Sequence, residues 1–373
     1  MTSTTYKNEI AKRKFYDYLK GPKRFSKTSI ECYENAIWLW EDFSNKADFG
    51  SFNQTTAISF REWLKTKKKS KSQEIVSLSY SYDMLRYLKV FFDWLSRQPG
   101  YKSKVSPVAV EYLQLTKEEA NMATRPKHRN SPNLEDVRTV IDSIKGSSEI
   151  EKRDRALISL TLLIGARIKA MSTLSLRCFD KVRLIVNQDP ALGVETKFRK
   201  PIATPLYSFL HKEAVGYFLE WFNYLENNKK FKPEDPIFPR TKIENGKDNL
   251  SYYNTEEVEP YFWKSTASPR KIFEKRFSQS GVSCHQPHSL RHLLIKEISR
   301  RALTEEQKKA ISQSLGHEDV GTTFGSYGYG KIEENKQMEI IQEIDFDGQN
   351  KSLKYVIDQD DIKQLAELIK KNT

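Results

Sequence analysis

Three short clusters in this 373-residue sequence carry side chains suited to a phosphate ester. Gly165-Ala166-Arg167 closes the apolar run Ala156 to Ala166 (ALISLTLLIGA), which places a guanidinium at the edge of an apolar core, where a buried helix ends. Arginine suits phosphate because its planar fork donates paired hydrogen bonds and its charge does not titrate away. In Pro287-His288-Ser289-Leu290-Arg291-His292, His288 and Arg291 lie three apart at a helix start, so both can reach one phosphate from a shared face. Leu315-Gly316-His317 follows, with Tyr327 ten residues later. Each cluster is common by itself, and a lone tyrosine is usually structural. Their order and combination carry the specificity.

The elements that must position these clusters are mostly helices. Residues 6–19, a helix capped by Ser26 or Thr28 with Ile30, Tyr33, Ile37, Trp40 and Phe43 on one face, a shorter helix opened by Thr55 or Thr56, and a long helix from about Val76 to Arg97 predict a small bundle over 1–115. Aromatic stripes of this kind are core, and no chemistry is assigned to them. Residues 116–132 (TKEEANMATRPKHRNSP) turn polar and basic and read as a linker. A second domain is expected over 133–345. It opens with Asn133 as an N-cap, continues with a buried helix from about Arg153 to Ile164, and has short strands over 182–187 and 194–204. Helices follow at 207–225, 270–280, 289–301 and from Thr304, whose Thr304-Glu305-Glu306-Gln307 start fits a capping box. The tail, 346–373, ends in an amphipathic helix with Ile362, Leu365, Leu368 and Ile369. The expected fold class is mainly α with a small β-sheet.

Composition narrows the setting. The 62 Lys plus Arg exceed 49 Asp plus Glu, a formal net charge of +13. The excess sits in the first 330 residues, while the tail from 331 is net acidic. A polyanion, most commonly a phosphate backbone, would meet the basic part, although the run Lys65-Thr66-Lys67-Lys68-Lys69-Ser70-Lys71 reads equally well as a solvated loop. The longest apolar-dominated stretch is only 11 residues, below the roughly 20 that span a bilayer, and the first residues lack a signal-peptide core. Cys32, Cys178 and Cys284 are odd in number and scattered, which argues against a disulfide scaffold and fits a reducing cytoplasm.

Taken in order, the clusters resemble the tyrosine recombinase (phage integrase) family, whose signature is Arg, then Lys, then His-x-x-Arg, then His or Trp, then Tyr. Arg167 with Leu174-Ser175-Leu176-Arg177-Cys178-Phe179-Asp180 is similar to the first box, and His288-Ser289-Leu290-Arg291-His292 to the second. Leu315-Gly316-His317-Glu318-Asp319-Val320-Gly321-Thr322-Thr323 is similar to the third, with Tyr327 in the nucleophile region. The family's lysine sits on a β-hairpin turn eight residues before a Pro-Leu pair. Lys197 stands eight before Pro205-Leu206, and Lys200 is the second choice. Two departures stand out. The third position after the first arginine, commonly Glu in the family, is Ala170, and Tyr329 offers a second tyrosine at a less usual spacing.

The resemblance implies a helical core-binding domain and a catalytic domain that close around duplex DNA as a C-shaped clamp. It implies transesterification through a 3′-phosphotyrosyl intermediate, with Arg167, Lys197, His288, Arg291, His317 and Tyr327 as the catalytic residues and no metal, cofactor or ATP. Double-stranded DNA and a homo-tetramer on paired sites would be the partners, with no membrane, in a cytoplasmic, nucleoid-associated setting. The tail helix would pack on its own domain or on a neighbouring protomer. Two rivals are a DNA-binding relative without catalysis and a type IB-like topoisomerase. Cys284, His285, His288 and His292 include residue types that bind zinc, but no second pair at ligand spacing lies elsewhere, which argues against a metal site.

Overall fold

The computed structural model describes residues 3–69, 72–125, 132–245, 252–329 and 337–338, with the backbone alone at 3–5, 252 and 326–329. The chain divides into two compact units, 1–127 and 128 onward.

The first unit is helical because its polar residues fall where helix ends need them. After α1 (Ser3–Lys20), the Ser26 hydroxyl accepts from the Ser29 amide and opens α2 (Lys27–Phe43). The next helix, α3 (Gln54–Thr66), starts earlier than the expected threonines. Asn53 is its N-cap, and the Thr56 side chain reaches back to the Asn53 amide in a reciprocal capping box. Ser77 opens α4 (Leu78–Leu95), and a short α5 (Pro107–Val110) follows. Residues 117–124 correct the linker reading. They form α6 (Lys117–Thr124), capped by a Thr116–Glu119 box, with Ala123 buried and Glu119 paired to Lys65 at 2.7 Å. Its polar composition reflects an exposed outer face, not an extended chain. The core of this unit is aromatic: Phe15, Phe49, Phe52, Phe60, Phe91 and Phe92 are fully buried, with Phe52 stacked on Phe92 at 4.0 Å between centroids.

In the second unit Asn133 caps α7 (Leu134–Ser143), as expected. The central element is α8 (Glu149–Ile164), whose side chains are buried without interruption from Arg153 to Ile164. A short α9 (Ile168–Met171) leads to a three-stranded antiparallel sheet of β1 (Phe179–Asp180), β2 (Ile185–Gln188) and β3 (Ile202–Pro205), in that order, with Val186 opposite Thr204 and Gln188 opposite Ile202. The strands are shorter than the sequence suggested. Pro190 and Gly193 stop β2, and residues 189–201 form a long connection with two 3₁₀ turns in place of a tight hairpin turn. Then come α10 (Lys212–Asn227), a hairpin of β4 (Arg240–Asn245) and β5 (Tyr252–Glu259), α11 (Ala267–Gln279), α12 (Pro287–Ser299) and α13 (Glu305–Ser314), which opens with the expected Thr304–Gln307 capping box. The β4–β5 hairpin was not expected. It is largely solvated, with Val258 its buried anchor, so its strands lack the apolar alternation that reveals a strand in sequence. After α13 comes a π-helical segment, Thr322–Tyr329. The tail helix expected over 346–373 lies outside the described residues. No helix among the described residues is long and apolar enough to cross a membrane.

Candidate active site

The site is built where three helix ends meet, and glycine makes the approach possible. Gly165 ends α8 in the left-handed region at φ +56°, and a Cβ there would sit 2.8 Å from Leu294 Cδ2 of α12. Gly316, at φ +73°, brings the turn after α13 against Ile202 of β3, where a Cβ would collide with the isoleucine side chain. These two close contacts put the first and third clusters beside the second.

Arg291 is the tie between them. It is 2% exposed and donates from Nη1 to the Gly165 carbonyl at 2.8 Å, and from Nη2 to the Leu315 carbonyl and to His317 Nε2, the latter at 2.8 Å. One guanidinium thus engages the end of α8 and the turn after α13 from its place on α12. His317 is buried, and its Nδ1 lies 2.8 Å from Thr323 Oγ1, which lies 2.8 Å from Ser312 Oγ. Burial, and then the charges of Arg291, Arg167, Lys197 and His288, push the His317 pKa down to about 4. Those four charges and His317 are five of the six expected positions, although the sequence spreads them from 167 to 317.

The sheet is fastened to the same point. Gln188 Nε2 donates to Thr204 Oγ1 at 3.0 Å, and Thr204 donates in turn to the Ser314 carbonyl at 2.7 Å, while the Tyr207 and Ser314 hydroxyls lie 2.8 Å apart. The β2–β3 connection that carries the lysines is therefore anchored to the end of α13. The two candidate lysines differ. Lys200 is ion-paired with Glu318. Lys197 is exposed, with its ammonium 4.8 Å from the Phe198 ring, and Phe198 stands 78% exposed at φ +61°. Arg167 is half-buried at the N-cap of α9, and Ala170 is buried in the core.

His288 and His292 meet edge-on, with ring centroids 5.1 Å apart, and His285 lies against Phe277 at 6.1 Å, while Cys284 is exposed. Among the described residues, no group of three or more His, Cys, Asp or Glu side chains is arranged to hold a metal ion. Tyr327 and Tyr329 both belong to the π-helical segment by backbone, and their side chains lie outside the described residues. Buried Thr323 and Phe324 pin the start of that segment. Sequence reasoning gave no role to Ser312 or Thr323. Hydroxyls in a polar stretch carry no signal until the end of α13 and the π-helical segment fold together.

No family model matches the chain. The protein named tyrosine recombinase XerC of Leptospira interrogans (serovar copenhageni) is 24% identical over 320 residues, covering 85% of this chain and 87% of the relative. That of Halalkalibacterium halodurans is 23% identical over 327 residues, covering 83% and 89%. Among solved structures, a lambda integrase dimer bound to a COC′ core site superposes with a TM-score of 0.56 at 13% identity, covering 87% of this chain and 99% of that one. XerH site-specific recombinase bound to its difH substrate gives 0.54 at 16% identity, covering 92% and 84%. The structural likeness at these identities is one of fold, and the sequence likeness runs over most of both chains. With its clusters in family order and gathered at one point of that fold, the chain is similar to the tyrosine recombinases in sequence over most of its length and shares their fold.

Proposed function

We propose that this protein is a site-specific DNA recombinase that cuts and rejoins strands through a 3′-phosphotyrosyl intermediate. The Tyr327 hydroxyl oxygen attacks the scissile phosphorus, the bond from phosphorus to the 5′ oxygen breaks, and the 5′-hydroxyl leaves. A partner strand's 5′-hydroxyl then attacks the phosphotyrosyl link and restores both the backbone and the tyrosine. The covalent link conserves the bond energy, so no ATP is consumed. Arg167 and Arg291 neutralise the non-bridging oxygens as charge develops, His288 takes the tyrosine proton, Lys197 protonates the leaving oxygen, and His317 completes the site beside Arg291. The observation that carries this reading is Arg291 itself. Burying a guanidinium is costly unless its donors are directed, and here Nη1 and Nη2 hold the first and third clusters beside the second.

Lys197 is preferred to Lys200 because its ammonium is not committed to a carboxylate in the described structure, whereas Lys200 is held by Glu318. The first unit and the basic part of the second would grip duplex DNA chiefly through phosphates, so affinity should fall steeply with salt. The relatives with DNA in their structures, lambda integrase and XerH, support a duplex as partner. Exchange between two sites needs four active protomers.

Nicked suicide duplexes made from the DNA flanking the gene test the reading. The expected result is a covalent protein–DNA adduct on a denaturing gel, formed without ATP and in the presence of a chelator, together with no sequence-independent relaxation of supercoiled plasmid. Tight binding without an adduct would favour a non-catalytic DNA-binding relative, and general relaxation would favour a topoisomerase.

A further inference from the structure

We infer that Thr323 is a positioning residue that fixes the His317 tautomer and so couples the segment bearing Tyr327 to the Arg291 clamp, an inference that rests on the recombinase reading. Arginine has donors and no acceptor, so the contact between Arg291 Nη2 and His317 Nε2 requires an unprotonated Nε2. A neutral imidazole carries its one proton on the other nitrogen. Nδ1–H therefore donates to Thr323 Oγ1, 2.8 Å away. Thr323 in turn has its hydroxyl hydrogen available for Ser312 Oγ at 2.8 Å, and Ser312 can pass its own to the Asp319 carbonyl at 3.3 Å. The bonds run in one direction, from guanidinium to imidazole to threonine to serine to backbone. Both hydroxyl residues have no exposure to solvent, which makes each link hard to replace by water.

The chain of bonds joins three elements that the reaction needs in register: α12 with Arg291, the end of α13 with Ser312, and the π-helical segment in which Thr323 stands four residues ahead of Tyr327. When the segment is docked, Thr323 holds the proton on Nδ1, and His317 offers Arg291 a lone pair. When it withdraws, the imidazole loses its acceptor, the proton is free to move to Nε2, and that N–H would face the guanidinium donors. The clamp is thus complete only while the tyrosine segment is in place.

The test uses the full-length protein and the variants Thr323→Val, which keeps shape and removes the hydroxyl, and Thr323→Ser, which keeps it. Single-turnover adduct formation on a suicide duplex at saturating DNA should fall about tenfold or more in Thr323→Val, as loss of one directed hydrogen bond in the transition state predicts. The duplex Kd should stay within about twofold, and Thr323→Ser should recover most of the rate. Nitrogen-15 NMR of histidine-labelled wild type should report His317 as the Nδ1–H tautomer. Wild-type cleavage by Thr323→Val, failure of Thr323→Ser to recover a lost rate, or an Nε2–H tautomer in the wild type would each overturn the inference. Absence of any adduct from the wild type would defeat the recombinase reading instead, and the tautomer measurement would still decide what Thr323 does to His317.

Discussion

The first unit is held by rings and the second by directed charge. Around Phe92, the rings of Phe52, Trp40 and Phe91 pack with centroids 4.0, 5.0 and 5.2 Å away, and few polar groups enter that core. In the second unit, α8 carries Arg153, Asp154 and Arg155 into the interior. Asp154 accepts from Arg153 through one oxygen, at 2.8 Å, and from Arg276 of α11 through the other, at 2.8 Å, while Arg153 also reaches the Pro239 carbonyl and Thr241 at the start of β4. Arg155 lies over the Tyr217 ring and pairs with Glu220 of α10. Apolar burial needs no specific partner and tolerates small shifts. Buried charge is stable only with its partners in place, so it specifies geometry. The first unit relies mainly on the former, and the second, which also buries Arg291, relies more on the latter.

The difference can be broken from several sides. The largest effect should come from Arg291→Ala, which removes the proposed phosphate ligand and the tie between clusters together. Adduct formation is expected to fall by about a hundredfold to a thousandfold, the scale seen when an anion-stabilising donor is lost, with single-turnover kinetics as the measure. Next come paired core substitutions. Phe92→Ala should destabilise the first unit by about 3–5 kcal/mol through the cavity it leaves. Asp154→Ala should cost a similar ~3–5 kcal/mol by leaving Arg153 and Arg276 buried without their shared anion. The sharper contrast lies in conservative changes. Phe92→Leu should recover most of the loss in denaturant melts, whereas Asp154→Leu should not, since no apolar side chain supplies the two arginines with an acceptor. Equal recovery would erase the distinction drawn between the units.

A smaller effect is expected from pH. His317 is held neutral to about pH 4, chiefly by burial and further by Arg291, Arg167, Lys197 and His288, while in the unfolded chain it takes up a proton near pH 6.5. Between those values the unfolded state binds the extra proton. The contribution of this group to stability is therefore fully present above pH 6.5 and is lost as pH falls toward 4. Wild-type Tm should drop more over that interval than the Tm of His317→Gln, and parallel curves would contradict the assignment. The smallest effect is assigned to Lys200→Ala. Its ion pair with Glu318 is solvent-exposed, so stability should change by no more than about 1 kcal/mol, and adduct formation should stay near wild type while Lys197→Ala is impaired.

Much of this organisation is legible in the sequence, for identifiable reasons. Helix starts at Ser26, Asn133 and Thr304 could be read because a cap acts on amides two or three residues away, within the reach of a local pattern. The clusters around Arg167, His288–Arg291 and His317 could be read because their residue types are unusual in combination. What could not be read depends on distant partners. That Arg153, Asp154 and Arg155 open a buried helix is legible, but their partners are not, because Arg276 and Glu220 arrive from elsewhere in the chain. Helix α6 looks like a linker until Ala123 is covered by the first unit's core. The β4–β5 ribbon and the long 189–201 connection lack the alternation that marks strands. Thr323 is one threonine among many until it meets His317.

The most direct test of the central claim is to identify the residue that carries the DNA. The protein would be trapped on a nicked suicide duplex, digested with protease and nuclease, and the modified peptide sequenced by mass spectrometry, alongside Tyr327→Phe and Tyr329→Phe. The account predicts a nucleotide remnant on Tyr327, its loss in Tyr327→Phe and its persistence in Tyr329→Phe. A remnant on Tyr329, or none from protein firmly bound to the duplex, would contradict it.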